Sequence, residues 1–235
     1  MPVNKIYESA EEALSVVFNG ATILVSGFGP PGVPVHLLTA LMKLGVKDLT
    51  TVSNTARSAS LEEPLDCGWL VANGQARRVI TSFPVPGSPN VVSYAEAAWR
   101  EGKLEVEVVP QGTLAERIRA GGAGIGAFYT PTGVGTRFEE SKEKRVINGR
   151  EYVLEHPIRG DFALIHAYKA DTFGNLVFRR SARNYGPIMA TAADVTIVEV
   201  EEIVEPGEID PDQVHTPGIF VHRIVKVPRK ERPTK

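Results

Sequence analysis

Ala21-Thr22-Ile23-Leu24-Val25-Ser26-Gly27-Phe28-Gly29-Pro30-Pro31-Gly32-Val33-Pro34-Val35 reads as a strand that passes through a glycine-rich turn into a helix. Ala21 to Val25 is a short apolar run and predicts a buried strand. Pro34 suits the first position of a helix, where its missing N–H costs no hydrogen bond. Gly27, Gly29 and Gly32 let the backbone take positive φ and let a ligand approach the main chain closely. The N–H groups that open the following helix offer partial positive charge to an anion. The turn is expected to face a ligand that carries phosphate or carboxylate; the competing reading is an ordinary strand–helix connector.

The common nucleotide motifs fit poorly. Gly27, Gly29 and Gly32 have the Gly-x-Gly-x-x-Gly spacing of a dinucleotide site, but Pro30 and Pro31 remove two of the N–H donors that would cradle a pyrophosphate. Thr51-Val52-Ser53-Asn54 stands where such a site carries an acidic residue, and no Lys-Ser/Thr follows as a P-loop requires.

Outward from the turn, apolar segments of strand and helix type alternate. Ser9-Ala10-Glu11-Glu12 has capping-box spacing and opens a helix that Asn19-Gly20 stops. Helix is expected at Val35–Leu44 with Gly45 closing it, then strand at Asp48–Ser53 and a Pro-interrupted helix near Glu62–Ala72. Strand Arg77–Phe83, loop Pro84–Pro89, helix Val91–Arg100 and strand Leu104–Val109 follow, with Glu105 and Glu107 on a solvated face. Next come helix Thr113–Ala120 and strand Gly124–Tyr129. Beyond Tyr129 the pattern changes: Arg145–Glu155 reads as a hairpin about Asn148-Gly149. Phe162–Tyr168 and Leu176–Arg179 read as a second hairpin, followed by a short helix near Pro187–Ala193 and strands Val195–Val204 and Ile219–Val227. The fold class is α/β: a mostly parallel sheet covered by helices, with β-hairpin additions in the C-terminal half and ligands outside the carboxyl ends of the strands.

The chain has 235 residues, enough for one large domain, expected over 1–228 with a charged, fraying tail at 229–235. A net charge of −2 without a basic stripe argues against nucleic acid. The single Cys67 rules out an intrachain disulfide framework and fits a reducing compartment. No apolar run is long enough to span a bilayer, and Met1-Pro2-Val3-Asn4-Lys5 is not followed by a signal core, so a soluble cytoplasmic protein is expected.

Polar residues at strand ends are the candidates for chemistry. Ser26 ends the first strand of the turn motif, Asn54 ends the next, and Gln111 ends the strand Leu104–Val109. Neutral amides supply both donors and acceptors, which suits a carboxylate or an acyl oxygen; the alternative is that they only satisfy loop backbone. His36, His156, His166, His215 and His222 lack metal-ligand spacing, and Cys67 has no evident base beside it. Arg179-Arg180-Ser181-Ala182-Arg183-Asn184 is a basic cluster suited to an acidic substrate or to ion pairing. No convincing nucleophile, acid/base pair or metal site emerges, so the chain reads as half of an active site.

These residues belong to a longer resemblance. Asn19–Pro34 resembles the first signature of the α (A) subunits of family I CoA-transferases that act on 3-oxoacids. Val52-Ser53-Asn54, Pro110–Arg117, Phe128–Gly133, Gly160–Leu164 and Ala182-Arg183-Asn184 are similar to further segments of that family, in family order from about Lys5 to Val227. Gly186–Met189 and Thr216–Val221 look most like the 3-oxoadipate enzymes, with the acetoacetate enzymes next. Three places depart from the pattern: Ser26 replaces a Gly, Thr55 replaces an Asn, and Arg57–Cys67 replaces a Gly-rich loop.

The resemblance implies transfer of CoA from succinyl-CoA to a 3-oxoacid by a ping-pong route through a glutamyl-CoA thioester. Its glutamate lies on a separate B subunit, so no nucleophile is assigned here. On that basis Asn54 and Gln111 are expected to position the acid and polarise its oxygens, and Ser26, Gly27, Phe28, Gly29, Pro30, Pro31 and Gly32 to form the wall beside the CoA thiol, consistent with the family signature. CoA would be a substrate, with no cofactor and no metal, in a heterotetramer of two A and two B subunits (α₂β₂). Two other classes stay open: a non-catalytic sugar-phosphate or effector-binding module, and a sugar-phosphate isomerase using Glu62 or Asp66.

Overall fold

The computed structural model describes residues 4–60 and 66–228. Among the described residues, twelve strands and six α-helices follow in chain order: β1 (Ile6–Tyr7), α1 (Ala10–Ala13), β2 (Thr22–Val25), α2 (Val35–Leu44), β3 (Leu49–Thr55), α3 (Gly68–Ala72), β4 (Ala76–Phe83), α4 (Tyr94–Arg100), β5 (Glu105–Val108), α5 (Gln111–Gly122), β6 (Phe128–Thr130), β7 (Lys144–Ile147), β8 (Arg150–Glu155), β9 (Gly160–Asp171), β10 (Leu176–Val177), α6 (Gly186–Thr191), β11 (Ala193–Val204) and β12 (Arg223–Lys226).

The main sheet has the order β1-β12-β11-β9-β2-β3-β4-β5, with β10 antiparallel on β9. Every pairing along that path is parallel. Period-two alternation sends Ile23, Val25, Leu164 and Ile197 to one core, with α2 residues Leu37, Leu38 and Leu41. Leu24, Ala163, Ile165 and Val198 go to the other, with Leu114 and Ile118 of α5 and Met189 of α6. A sheet buried on both faces needs apolar residues at successive positions, as these strands have.

Strand order fixes where a ligand binds. From β2 the chain steps through β3, β4 and β5 on one side, whereas β9, β11 and β12 fill the other. The order therefore reverses between β2 and β9, and in open parallel sheets the crevice beyond the strand ends at such a reversal is the binding position. The glycine turn leaves β2 at this point, and Ser26 N–H donates to Leu164 O of β9 at 3.0 Å.

The remaining strands build a small antiparallel sheet, β6-β8-β7. Asn148 (φ 50°) and Gly149 (φ 77°) turn the β7–β8 hairpin with two positive φ angles, as a tight two-residue loop requires.

Several boundaries differ from the sequence expectation. Ser9 caps α1 by accepting from Glu12 N–H, but the helix stops at Ala13 rather than at Asn19-Gly20. The following run is rich in β-branched residues, and Phe18 packs edge-on against Phe162, 5.6 Å between centroids, outside helical geometry. Pro34 is the residue just before α2, not its first. The segment expected as Glu62–Ala72 is helical only at Gly68–Ala72, and its residues 61–65 lie outside the described ones. Helix α4 starts at Tyr94, where Ser93 accepts from Glu96 N–H, instead of at Val91. The strand expected at Gly124–Tyr129 is confined to Phe128–Thr130 and joins the small sheet. Gly218–Phe220 forms a 3-10 turn, leaving only Arg223–Lys226 of the last expected strand. The tail 229–235 also lies outside the described residues.

Candidate functional site

The turn after β2 has the conformation its sequence predicts: Gly27, Gly29 and Gly32 have φ of 124°, 61° and 81°. Ser26 staples it from beneath. Its Oγ donates to Gly32 O at 2.7 Å and accepts from His166 N–H at 3.3 Å. From the other side Asn184 clamps it: Oδ1 accepts from Gly27 N–H at 3.1 Å and Nδ2 donates to Pro31 O at 3.0 Å. A Cβ on Gly32 would sit 2.7 Å from both Ala182 O and Asn184 Nδ2, so no larger residue fits without moving the clamp. Gly27 and Gly32 are buried, while Phe28, Pro30 and Pro31 project into solvent. The turn is a rigid frame that presents those three rings.

The start of α2 is not open to a ligand in the way the sequence implies. Glu199 of β11, 1% exposed, accepts from Leu37 N–H through Oε2 at 2.9 Å and faces His166 Nδ1 through Oε1 at 3.1 Å. Pro34 supplies no side-chain cap, so a buried carboxylate from another strand takes that place, the charge favoured at a helix N-terminus.

Asn54 and Gln111 come together through a residue that the sequence reading missed. The Tyr185 hydroxyl lies 3.3 Å from Asn54 Oδ1, 3.3 Å from Gln111 Nε2 and 3.2 Å from Gln111 O. Asn54 is the penultimate residue of β3 and is 1% exposed. Gln111 opens α5 directly after Pro110 rather than ending a strand, and it faces solvent. Asn54 Nδ2 is buried without a hydrogen-bond partner among the described residues. An unpaired buried donor costs about 1–3 kcal/mol; buried polar atoms of Thr51, Trp69, Arg78 and Thr113 share that state, and Asn54 differs from them in lying within reach of Tyr185 and, through it, Gln111. Burial raises the Tyr185 pKa above its ordinary value, only partly offset by the Gln111 hydrogen bond, so the phenol remains a proton donor at neutral pH. Tyr185 lies 131 residues from Asn54 and 74 from Gln111. The only sequence signal was its position directly after the Ala182-Arg183-Asn184 block.

Other candidates resolve as structural. Asp66 accepts from the N–H groups of Arg57, Ser58 and Gly68 and from Ser58 Oγ, which makes it a loop anchor. Glu62 lies outside the described residues. Burial pushes the Cys67 thiol up to about 12, the state of an inert core cysteine. His215 and His222 each accept a backbone N–H through Nδ1, and burial lowers both pKa values. Arg179 stacks over Tyr168, whereas Arg180 and Arg183 are exposed and form no ion pair among the described residues. No group of three His, Cys, Asp or Glu able to hold a metal occurs among the described residues, and no described helix is long and apolar enough to cross a membrane.

The model of the coenzyme A transferase family matches residues 7–227. The chain belongs to the coenzyme A transferase family. It is 49% identical over 225 residues to the A subunit of 3-oxoadipate CoA-transferase from Pseudomonas putida, covering 96% of this chain and 94% of that one. It is 46% identical over 230 residues to the A subunit of succinyl-CoA:3-ketoacid coenzyme A transferase from Helicobacter pylori, covering 98% and 95%. Among solved structures, glutaconate coenzyme A-transferase from Acidaminococcus fermentans superposes with a TM-score of 0.80 at 22% identity, over 95% of this chain and 76% of that one. An acyl-CoA transferase of E. coli O157:H7 superposes with a TM-score of 0.81 at 20% identity, and this chain spans 48% of its length. The mostly parallel α/β fold is therefore that of the CoA-transferases, and the trio of Asn54, Gln111 and Tyr185 is tied through Asn184 to the turn that leaves β2 at the sheet reversal.

Proposed function

We propose that the chain is the A subunit of a heteromeric enzyme that moves CoA from succinyl-CoA to a 3-oxoacid, with 3-oxoadipate the favoured acceptor and acetoacetate next. One observation carries this reading: in a CoA-transferase fold, Asn54 holds a buried donor without a partner among the described residues, joined through Tyr185 to Gln111 next to the turn at the sheet reversal. The P. putida and H. pylori relatives are both named as A subunits, which supports a separate B partner.

The trio contains two neutral amides and a protonated phenol, none of them a nucleophile for a thioester. In the proposed route the succinyl-CoA carbonyl is attacked by a glutamate carboxylate of the B subunit, giving a succinyl-glutamyl anhydride and CoA thiolate. The thiolate attacks the glutamyl carbonyl, so succinate leaves and a glutamyl-CoA thioester remains. The 3-oxoacid carboxylate then attacks that thioester, and the thiolate it expels attacks the new acyl carbonyl, giving 3-oxoacyl-CoA and free glutamate. A covalent intermediate divides one exchange into easier displacements and retains the thioester energy.

Asn54 and Gln111 would donate to the oxygens on which charge builds in each displacement. Donors fixed before the reaction stabilise that charge without reorganising. The turn Ser26–Gly32, with Phe28, Pro30 and Pro31 outward, would wall the CoA thiol end and keep water from the anhydride. The exposed Arg183 lies between Ala182 and Asn184, the two residues that hold this wall, and suits an anionic ligand. CoA is a substrate in this scheme.

The test is transfer from succinyl-CoA to 3-oxoadipate and to acetoacetate, by this chain alone and after assembly with a candidate B subunit. Transfer only in the assembly, greater with 3-oxoadipate, is expected. Transfer by the chain alone would overturn the shared site, and preference for acetoacetate would overturn the acceptor.

A further inference from the structure

Tyr185 is the N-cap residue of α6, 3% exposed, and its N–H donates to the same Asn184 Oδ1 that accepts from Gly27 N–H. Its backbone is thereby tied to the glycine turn, and its ring packs in the core with Leu114, Ile165 and Met189. Its hydroxyl has one proton to donate. Gln111 Nε2 donates to it, which fills an acceptor position and leaves that proton for Asn54 Oδ1 or Gln111 O. Given to Asn54 Oδ1, the proton fixes which end of the carboxamide is which. The oxygen is held by Tyr185, and Nδ2 is left as the donor without a partner. A carboxamide without that contact can turn over and present its oxygen, which would repel a carboxylate or an oxyanion.

We propose that Tyr185 is a positioning residue: its hydroxyl orients the Asn54 carboxamide so that Nδ2 donates to the acid substrate. This rests on the functional reading above and specifies how its donor is set. Tyr185 acts through Asn54 and needs no contact with substrate.

The experiment uses the two-subunit assembly, in a cycle of Tyr185→Phe, Asn54→Ala and the double variant. Phenylalanine keeps the packed ring and removes only the hydroxyl. Loss of one ordinary hydrogen bond predicts that Tyr185→Phe lowers kcat/KM for the 3-oxoacid about five- to tenfold, with melting temperature nearly unchanged. The double variant should be no slower than Asn54→Ala within about twofold, because the hydroxyl then has nothing to orient. If Asn54→Ala fails to assemble, Asn54→Ser closes the same cycle. A Tyr185→Phe enzyme as fast as the unsubstituted one, or effects that multiply in the cycle, would overturn the proposal. An unsubstituted assembly with no transfer to any 3-oxoacid would overturn the functional reading, before the variants are compared.

Discussion

Two polar clusters in this molecule are organised in opposite ways. Between β4, β5, α5 and the small sheet, Arg78 and Arg117 each hold a carboxylate oxygen of Glu107 at 2.6 Å, and Arg117 Nε donates to His156 O at 2.8 Å. Glu155, buried on β8, pairs with Lys142 and lies 3.8 Å from Arg117. Each charged group there has an opposite charge beside it, including Arg78 Nε, which makes no hydrogen bond among the described residues but lies 3.2 Å from Glu105. The cluster fastens the small sheet to the large one. Beside the turn at the sheet reversal, by contrast, Asn54 Nδ2 faces no opposite charge and has no hydrogen-bond partner among the described residues, and one phenol hydroxyl serves two amides. The first pattern is what stability selects, because a buried polar group left unpaired is destabilising. The second retains that penalty, and a ligand is its simplest explanation.

The largest effect that would break this contrast is at Gln111. Gln111→Ala in the assembled enzyme should lower kcat about a hundredfold, the usual effect of losing one oxyanion donor, without dissociating the subunits on gel filtration. Unchanged kcat with a lowered melting temperature would place the amide trio in the same class as the ion network.

Ser26 tests the frame rather than the donors. Ser26→Ala leaves Gly32 O and His166 N–H without their shared hydroxyl, a loss of about 1–3 kcal/mol. For a chain of this size that is a fall in melting temperature of several degrees, read by calorimetry. A few-fold rise in KM for succinyl-CoA should accompany it if the turn walls the CoA site. A lower melting temperature with KM unmoved would confine Ser26 to stability.

The ion network sharpens the other side of the comparison. Burial alone would raise the Glu107 pKa, but the hydrogen bonds and charges of Arg117 and Arg78 outweigh it and hold the pKa below its usual value. A carboxylate depressed in the folded state contributes stability above its unfolded pKa, and that contribution is lost as pH falls through the lower folded value. Glu107→Gln should lower the melting temperature at pH 7 by about 2–4 °C and flatten its decline towards acid pH. Turnover should change little, and a large fall would contradict the division between the two clusters.

The smallest expected effect is at Cys67. With its thiol pushed up to about 12, it should not react with a thiol reagent at pH 8 until the protein is denatured.

What the sequence revealed follows the range of the interactions. The β2–turn–α2 unit was legible because strand, glycine turn and helix lie within 24 consecutive residues, Ala21 to Leu44, and depend on local chemistry. The cap at Ser9 and the Asn148-Gly149 hairpin are similarly local, whereas the equally local cap at Ser93 was missed. Errors arose where tertiary packing overrode a local pattern. Val16, Val17 and Phe18 continue an apolar period but leave the helix, and Gln111 turned out to start a helix instead of finishing a strand. Asn54 and Gln111 could be named from their places at expected strand ends. Their union through Tyr185 depends on residues far apart in the chain, as does the Glu199 cap on α2, and no local spacing encodes either.

The central claim is that this chain supplies the donors and the wall while the nucleophile comes from its partner. Intact mass of each subunit, after acid quench of the assembly with succinyl-CoA, tests that most directly. The account predicts an unchanged mass for this chain, with the CoA thioester adduct on the B subunit; a CoA adduct on this chain would contradict it.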